Sequence, residues 1–321
     1  MKRAVPGRVR PFLQRARASI WPHTRFPAYL SAAAWSAVTP HVLDQYLAKA
    51  LHASFVITRR GRVVSYSNRI NQLVGGDDVD GAEIGKIALD YLLMRVEVRI
   101  ARGRALVRPN WTPETSIDGV EHLTAALDEG NGAIVWCATF IDNFPRHAAF
   151  ANAGYPLVHV STKMHLLQPG QKNWFGEKVV APLSRIPENR PLRARIVRSK
   201  RGPGGYLREL KAALERNEVV SIVGDLTNGK VEAPVTVLGR DMKMPTGPPS
   251  LARSTGAALL PTFIVREGPF RYRVIIEADV SPDPSTSKTE FRQQAVEAFA
   301  AHLEHYLVAH PSSAGWWGSR A

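Results

Sequence analysis

Apolar positions recur at helical spacing in two long stretches of the chain. Residues 80–107 carry Ile84, Tyr91, Leu92 and other apolar side chains at intervals typical of a helix. Residues 288–309 carry an apolar stripe through Phe291 and Leu303, which is the pattern of a helix packed along one face. Two shorter helices are also predicted. One covers residues 50–64 and ends in a turn at residues 60–62, and the other covers residues 116–129 behind a Ser116 or Asp118 cap.

A different pattern marks the middle of the chain. Residues 133–136 form an unbroken apolar run, typical of a strand buried on both faces. A polar turn follows, then an alanine-rich segment that stops at Gly154, then a second short apolar run at residues 155–160. Strand, helix and strand in this order predict a βαβ unit. Because ligands bind at the carboxyl ends of strands in such sheets, residues 138–144 lie where a site is expected.

Short strand-like runs continue to alternate with helical segments downstream. Strands are predicted at residues 194–197, 218–223, 235–238, 258–265 and 272–277, and helices at residues 206–214 and 248–255. The helix at 206–214 is expected to follow a Gly204-Gly205 cap, and residues 162–190 have no clear period and predict a long polar loop. The alternation predicts an α/β fold with a mixed central β-sheet flanked by helices and an N-terminal helical portion.

Charge is the most unusual bulk property. The 321 residues include 42 Lys or Arg against 28 Asp or Glu, a net charge of +14. Such a surplus favours anionic partners: nucleic acid, phospholipid head groups or an acidic carrier protein. Nucleic acid is not expected, because the basic runs contain no interleaved aromatic residues and no known motif. The single Cys137 excludes an internal disulfide framework and a zinc cluster, and no metal is expected.

The basic charge is concentrated at the start of the chain. The first 43 residues contain seven Lys or Arg and no acidic residue. Residues 1–25 therefore read as a basic arm, which fits an amphipathic helix on a membrane surface, an organellar transit peptide or a disordered segment. Residues 26–321 read as a single α/β domain. No stretch approaches the ~18 consecutive apolar residues that a spanning helix needs, so a cytoplasmic location is expected, with peripheral attachment to the inner face of the plasma membrane left open.

The central stretch resembles the bacterial lipid A biosynthesis acyltransferases, within the lysophospholipid acyltransferase superfamily. Members read as a strand, then Thr-Gly-His-Phe-Gly-Asn-Trp-Glu, then a helix and a Gly-Tyr-Pro turn. Phe140 and the Gly154-Tyr155-Pro156 turn match. Further likeness lies in the strand ending at Asp225, in Pro245-Thr246-Gly247-Pro248, in Leu260-Pro261-Thr262-Phe263 and in His310-Pro311 before Trp316-Trp317. The resemblance covers about residues 69–320 and implies the glycerol-3-phosphate/lysophospholipid acyltransferase-like fold.

The catalytic pair of the motif is replaced. Thr139 stands where the family has its His, and Phe144 stands where it has the acid. In the family the His takes the proton of the acceptor and the acid orients it, and losing such a base typically costs ~10²–10⁴-fold in rate. Either another base serves here or the chain does not perform this reaction. Asp142 and His147 are the replacement candidates, each weighed against a structural role, and Thr139 and Phe144 are expected to line the substrate cleft.

Groups that would recognise a substrate are predicted at three other places. Arg201 belongs to a basic run before Gly202, where a phosphate could bind a helix start, although a solvated loop explains the run equally well. Asp225 ends a strand at the same sheet edge as Thr139. Thr246 and Gly247 open a helix whose amide end could hold an anion or an acyl carbonyl, and Arg253 is expected to add to a basic rim.

Two functions remain open from the sequence. The first is an acyltransferase with a non-standard site that moves an acyl group from a carrier-protein or CoA thioester to a hydroxyl or amine. No cofactor is expected, because the acyl thioester is a co-substrate. The second is a catalytically inactive relative that binds an acyl chain, a lipid or an acyl carrier protein. The resemblance implies acyl carrier protein or acyl-CoA as partner, and the basic charge adds an anionic lipid or membrane surface.

Overall fold

The computed structural model describes residues 25–58, 60–74, 80–161, 181–197, 202–225 and 231–315. The basic arm, except Arg25, and Arg201 lie outside these residues. The N-terminal helices are α1 (Arg25–Val38), α2 (Asp44–Thr58), α3 (Arg60–Val74) and α4 (Gly81–Val107). Helix α4 begins where the sequence predicts, because the Asp80 carboxylate accepts a hydrogen bond from the Ala82 amide at 3.0 Å.

The strands of the described residues are β1 (Glu114–Asp118), β2 (Ala133–Cys137), β3 (Val158–Ser161), β4 (Ala194–Val197), β5 (Val219–Val223), β6 (Glu232–Val237), β7 (Arg240–Pro245), β8 (Ala258–Gly268) and β9 (Arg271–Ile276). Seven of them form one sheet in the order β1-β9-β8-β2-β5-β3-β4. Strands β8, β2, β5, β3 and β4 are parallel, whereas β9 pairs antiparallel with β8 and parallel with β1. The carboxyl ends of β2 and β5 are therefore neighbours in the middle of the sheet.

Helices cover both faces of this sheet: α5 (Val120–Asp128), α6 (Asn143–Asn152), α7 (Ala181–Asn189), α8 (Gly202–Glu215), α9 (Gly247–Thr255) and α10 (Lys288–Ala309). Helices α4, α6 and α7 pack together on one side, and α8, α9 and α10 on the other. The apolar stripe of α10 lies against β2, where Phe299 stacks on Trp136 with ring centroids 4.2 Å apart. The predicted α/β class, with a mixed central sheet and an N-terminal helical portion, is confirmed.

Four local predictions are wrong. Residues 60–62 lie inside α3, which packs through Tyr66 on Tyr91 of α4. Ser116 lies in β1 because pairing with β9 overrides its tendency to cap a helix. Gly204 and Gly205 lie inside α8 instead of preceding it. The predicted loop at residues 162–190 contains α7 from Ala181, whose internal Pro187 obscures the helical pattern.

Strands β6 and β7 form a separate hairpin that packs on α10. Its turn residues Leu238 and Gly239 have φ of 52° and 68°, the left-handed pair typical of a tight hairpin turn. The amide of Leu238 donates to Glu304 of α10 at 2.9 Å, which fixes the turn on the helix. Among the described residues, no helix is both long and apolar enough to span a bilayer.

Candidate active site

Thr139 and Asp225 meet at the carboxyl edge of the sheet. Cys137 and Val223, the last residues of β2 and β5, are partners in the sheet register, so each residue two positions further on lies beside the other. The Thr139 amide donates to Asp225 Oδ2 at 2.5 Å, and the Thr139 hydroxyl donates to Asp225 Oδ1 at 2.7 Å. The carboxylate is completely buried, whereas Thr139 is partly exposed. Thr139 is thus partly exposed at this edge of the sheet, with the Asp225 carboxylate against its hydroxyl and amide.

Gly224 makes this approach of the two strand ends feasible. Its amide donates to the Cys137 carbonyl at 3.1 Å, which continues the pairing of β2 with β5 by one residue. A Cβ atom on Gly224 would lie 2.2 Å from the indole nitrogen of Trp136, far closer than atoms can come. A glycine is required here because the buried indole passes directly beneath the turn that presents Asp225.

The C-terminal segment holds the loop after β2 in place, and we call residues 313–315 the clasp. The Gly315 amide donates to the Thr139 carbonyl at 2.7 Å, the Ile141 amide donates to the Ser313 carbonyl at 2.8 Å, and Ala314 forms an antiparallel bridge with Phe140. A Cβ on Gly315 would lie 2.8 Å from the Thr139 carbonyl oxygen, so only glycine fits at this position of the clasp.

Ile141 is held in a strained conformation by these contacts. Its φ of 47° is in the left-handed region, which is unfavourable for a β-branched residue by about 1–3 kcal/mol. In the motif that this stretch resembles, a glycine stands at this position. The backbone path of the loop is therefore retained although the residue that suits it has been replaced.

Asp142 has a structural role in this loop. Its carboxylate caps α6 by accepting from the Phe144 amide at 2.9 Å. The same carboxylate forms an ion pair with Arg102 of α4, whose Nε lies 3.1 Å from Oδ1. Because Asp142 is occupied by a cation and by an amide, it is poorly placed to take a proton from a substrate.

His147 is fully buried on the far side of α6 from the cleft edge. Its Nδ1 lies 3.3 Å from the backbone carbonyl of Glu188, and its ring lies 4.6 Å from that of His159. Burial lowers the pKa of His147 well below its usual value, and Arg146 and Arg195 lower it further. His147 therefore stays neutral and inaccessible. His159 also lies in the core, since it is 2% exposed.

The same histidines belong to a larger set of buried polar groups, which we call the buried cluster: Arg102, His147, His159, Glu188, Arg195 and Ser221. Glu188 pairs with Arg195 at 3.0 Å and with Arg102 at 3.5 Å. Burial alone would raise the pKa of Glu188, but the Arg102 and Arg195 guanidiniums outweigh it and bring that pKa to about 2. His159 Nδ1 lies 3.2 Å from Ser221 Oγ, which is in turn 3.5 Å from Cys137 Sγ. Burial raises the pKa of the Cys137 thiol, as for an inert core residue.

Phe144 lies in the core, away from any cleft. It is 2% exposed and packs with Ala101 and Ala105 of α4, with Trp111 and Phe270 partly covering it. The position that holds an acid in the family motif is thus used here for packing between α6 and α4.

The start of α9 borders the site, but Arg253 does not. A Cβ on Gly224 would lie 3.2 Å from Pro248 Cγ, so the first turn of α9 lies beside the end of β5. Thr246, just before that turn, is committed through its amide and hydroxyl to the Val231 carbonyl at 3.1 and 3.2 Å, which leaves Gly247 to present the helix end. Arg253, in the last turn, instead donates to the Pro284 and Thr286 carbonyls at 3.2 and 2.7 Å.

Sequence reasoning placed Thr139 and Asp225 at the same edge but did not predict their hydrogen bonds. It missed Arg102 and Glu188 entirely. Arg102 lies 40 residues before its partner Asp142, and Glu188 lies in a segment without a clear period. The His310-Pro311 likeness was the one signal that could have pointed to the clasp.

Comparison with known proteins identifies the family. The model of the bacterial lipid A biosynthesis acyltransferases matches residues 94–318. The chain belongs to this family. It is also similar to the phosphatidylinositol mannoside acyltransferase of Mycobacterium tuberculosis, in two strains, with 32% identity over 206 residues. That alignment covers 61% of this chain and 56% of the relative. This family member therefore spans little more than half the length of the curated relatives that it matches.

Proposed function

We propose that this family member transfers an acyl group from a thioester, carried by CoA or by acyl carrier protein, to a hydroxyl or amine acceptor. The site would be non-standard, with Thr139 and Asp225 in place of the His and acid of the family motif. The observation that carries the proposal is the hydroxyl–carboxylate pair at the carboxyl edge of β2 and β5. The pair is held in place by the hydrogen bonds between Thr139 and Asp225, by the Gly224 amide and by the clasp. A hydroxyl beside a carboxylate is an arrangement in which the carboxylate can act as the base and the hydroxyl as the nucleophile of an acyl transfer.

The donor and the location rest on charge and on surface composition. A net charge of +14 suits an acidic carrier protein or the phosphates of CoA. The N-terminal helices expose large apolar side chains, among them Val38 at 81% and Ile57 at 67%. Exposed apolar groups beside a basic arm are typical of proteins that rest on an anionic membrane. We infer a cytoplasmic protein that works at the inner face of the plasma membrane, where a lipid-linked acceptor such as the one in the relative's name would be met.

A second candidate is a binding protein without turnover. It is favoured by one observation: within the described ranges, every candidate imidazole and carboxylate at this edge is buried or already paired. Such a protein would hold an acyl chain or a loaded carrier protein without breaking the thioester.

Release of free thiol distinguishes the two functions. Purified protein would be mixed with acetyl-, octanoyl- and palmitoyl-CoA, and with acyl carrier protein loaded with the same groups. Vesicles of bacterial lipids and small primary amines are supplied as acceptors, and thiol is followed with a colorimetric reagent. Thiol release above the buffer rate supports acyl transfer. Retention of intact acyl thioester, seen by native mass spectrometry without thiol release, supports the binding protein and overturns the first proposal.

A further inference from the structure

We propose that Thr139 is a nucleophile and that acyl transfer proceeds through a covalent acyl ester on its hydroxyl, with Asp225 as the base. This mechanism rests on the proposed function, because it describes how the same site would work. It differs from direct attack of the acceptor on the thioester. Asp225 Oδ1 accepts from the Thr139 hydroxyl, so it becomes available to an acceptor only after that hydroxyl has been esterified.

The geometry of the pair is that of a nucleophile with its base. Asp225 Oδ1 is 2.7 Å from the Thr139 hydroxyl oxygen, within reach for a proton transfer. The carboxylate cannot rotate away, because its other oxygen is fixed at 2.5 Å by the Thr139 amide. Since Asp225 is completely buried, its interaction with the hydroxyl is little screened by water. A buried carboxylate held against the hydroxyl of a partly exposed threonine satisfies the geometric test for an activated nucleophile.

The N-termini of two helices lie close to the ends of β2 and β5. Helix α6 begins at Asn143, four residues after Thr139, and the first turn of α9 lies beside Gly224. Helix N-termini stabilise negative charge in their vicinity. A carbonyl oxygen that becomes an oxyanion next to Thr139 would therefore develop its charge in a favourable field.

The first half-reaction balances without another reagent. The Thr139 oxygen attacks the thioester carbonyl carbon while its proton passes to Asp225 Oδ1. The tetrahedral intermediate collapses, the C–S bond breaks, and the leaving thiolate takes the proton from Asp225. The products are an ester on Thr139 and one free thiol.

The second half-reaction reverses these roles. The acceptor oxygen or nitrogen attacks the ester carbonyl and gives its proton to Asp225. The bond from the carbonyl carbon to the Thr139 oxygen then breaks, and that oxygen recovers the proton. One acyl group has moved from sulfur to the acceptor, and the enzyme is restored.

The first half-reaction can be tested without knowing the acceptor. Full-length protein is mixed with octanoyl-CoA or palmitoyl-CoA, or with acyl carrier protein loaded with either group, and quenched in acid at successive times. We expect a burst of up to one thiol per protein, an intact mass increased by one acyl group, and a fragment that places the ester on Thr139.

Four variants separate the nucleophile from its surroundings. Thr139→Val, which keeps the shape of the side chain, should abolish the adduct, and Thr139→Ser should keep it. Asp225→Asn should slow the burst by ~10²–10⁴-fold, the usual effect of losing a general base. Thr236→Val is the matched control, because the Thr236 hydroxyl also lies 2.9 Å from a carboxylate, that of Asp241, but on the exposed hairpin. It should leave the burst unchanged. Thermal unfolding of each variant verifies that it folds.

The outcomes distinguish the mechanism from the function. Thiol release without any acid-stable adduct, or release that persists in folded Thr139→Val, overturns the covalent mechanism and leaves acyl transfer standing. Absence of thiol release from folded wild-type protein in these acceptor-free mixtures overturns the covalent mechanism and leaves acyl transfer standing. Absence of release also from the mixtures that contain acceptors overturns the proposed function as well.

Discussion

Two sets of polar side chains lie on either side of the loop after β2, and the fold treats them differently. At the carboxyl edge of the sheet, Thr139 is partly exposed, and its hydroxyl donates to the Asp225 carboxylate. In the buried cluster, His147 and Glu188 are removed from water and bonded only to protein groups. The two imidazoles, His147 and His159, are thus found in the cluster, where a substrate cannot reach them.

This contrast shows that residue type alone does not identify the reactive group. A buried imidazole whose pKa is lowered by burial is neutral at physiological pH and remains so through any reaction at the surface. A threonine is unreactive by itself, and in the proposed mechanism the carboxylate at 2.7 Å would activate it. Perturbing the cluster should therefore change stability, and perturbing the edge should change chemistry.

The largest effect on stability is expected from Glu188→Gln. The substitution removes the negative charge that Arg102 and Arg195 share in the interior. Breaking a buried ion pair by neutralising one partner typically costs about 3–5 kcal/mol. Urea unfolding should show a loss of this size. The control is Glu267→Gln, whose ion pair with Arg273 is partly exposed and is worth at most about 1 kcal/mol. Equal losses for the two variants would contradict the distinction between cluster and surface.

Acid should destabilise the buried cluster. Burial lowers the pKa values of His147 and His159 in the folded state, so the unfolded chain binds more protons below the ordinary pKa of 6.5. Stability should fall as the pH drops below about 6.5, by at most about 2.7 kcal/mol per pH unit for two histidines. The contribution of Glu188, whose pKa is about 2, is lost only at lower pH, between about 4.5 and 2.

Unfolding free energies measured in urea at pH 7.5, 6.5 and 5.5 test this slope. His159→Gln is the informative variant, because its amide can still bond with Ser221 but does not titrate. Below pH 6.5, the slope of its unfolding free energy against pH should be smaller by the contribution of about one bound proton. An unchanged slope would show that other groups cause the acid sensitivity.

The sequence was sufficient for the parts of the site that depend on local pattern. An apolar run of residues 133–136 predicted β2, the run ending before Asp225 predicted β5, and the rule that parallel strands end at one edge placed Thr139 and Asp225 together. The long helices α4 and α10 were likewise predicted from a local pattern, the helical spacing of their apolar residues.

The rest depends on contacts between distant segments, which leave no local pattern. The pair of Arg102 and Asp142 joins α4 to the cap of α6, and the clasp brings residues 313–315 to Thr139. His147 could not be assigned to the interior because the helix that covers it, α7, was predicted as a loop. Without α7, a histidine near the start of α6 is expected to be accessible to solvent.

A smaller effect is expected at the clasp from Gly315→Ala. The added Cβ would lie 2.8 Å from the Thr139 carbonyl oxygen and 3.1 Å from its Cγ2, so the clasp must shift. Overpacking of this kind costs about 1–3 kcal/mol. We also expect slower thiol release, because the shift moves the nucleophile relative to Asp225. Gly85→Ala in α4 is the control, since nothing lies within 4 Å of its added Cβ and its φ is not in the left-handed region. Unchanged thiol release in a stable Gly315→Ala protein would show that the clasp does not position Thr139.

The smallest effect is expected from Asp142→Asn, which tests whether the cleft edge contains a second base. Asparagine caps a helix as well as aspartate does, so only the charge shared with Arg102 is lost. For a partly exposed pair this costs about 1 kcal/mol. Thiol release should remain within a few-fold of wild type, because Asp142 serves the loop and Asp225 serves the hydroxyl. Asp142→Ala, which also removes the cap, should cost about 1 kcal/mol more in urea unfolding. If Asp142→Asn abolished thiol release while retaining its stability, the base would be Asp142. The reactive carboxylate would then belong to the Arg102–Asp142 pair, and the Thr139–Asp225 pair would be structural.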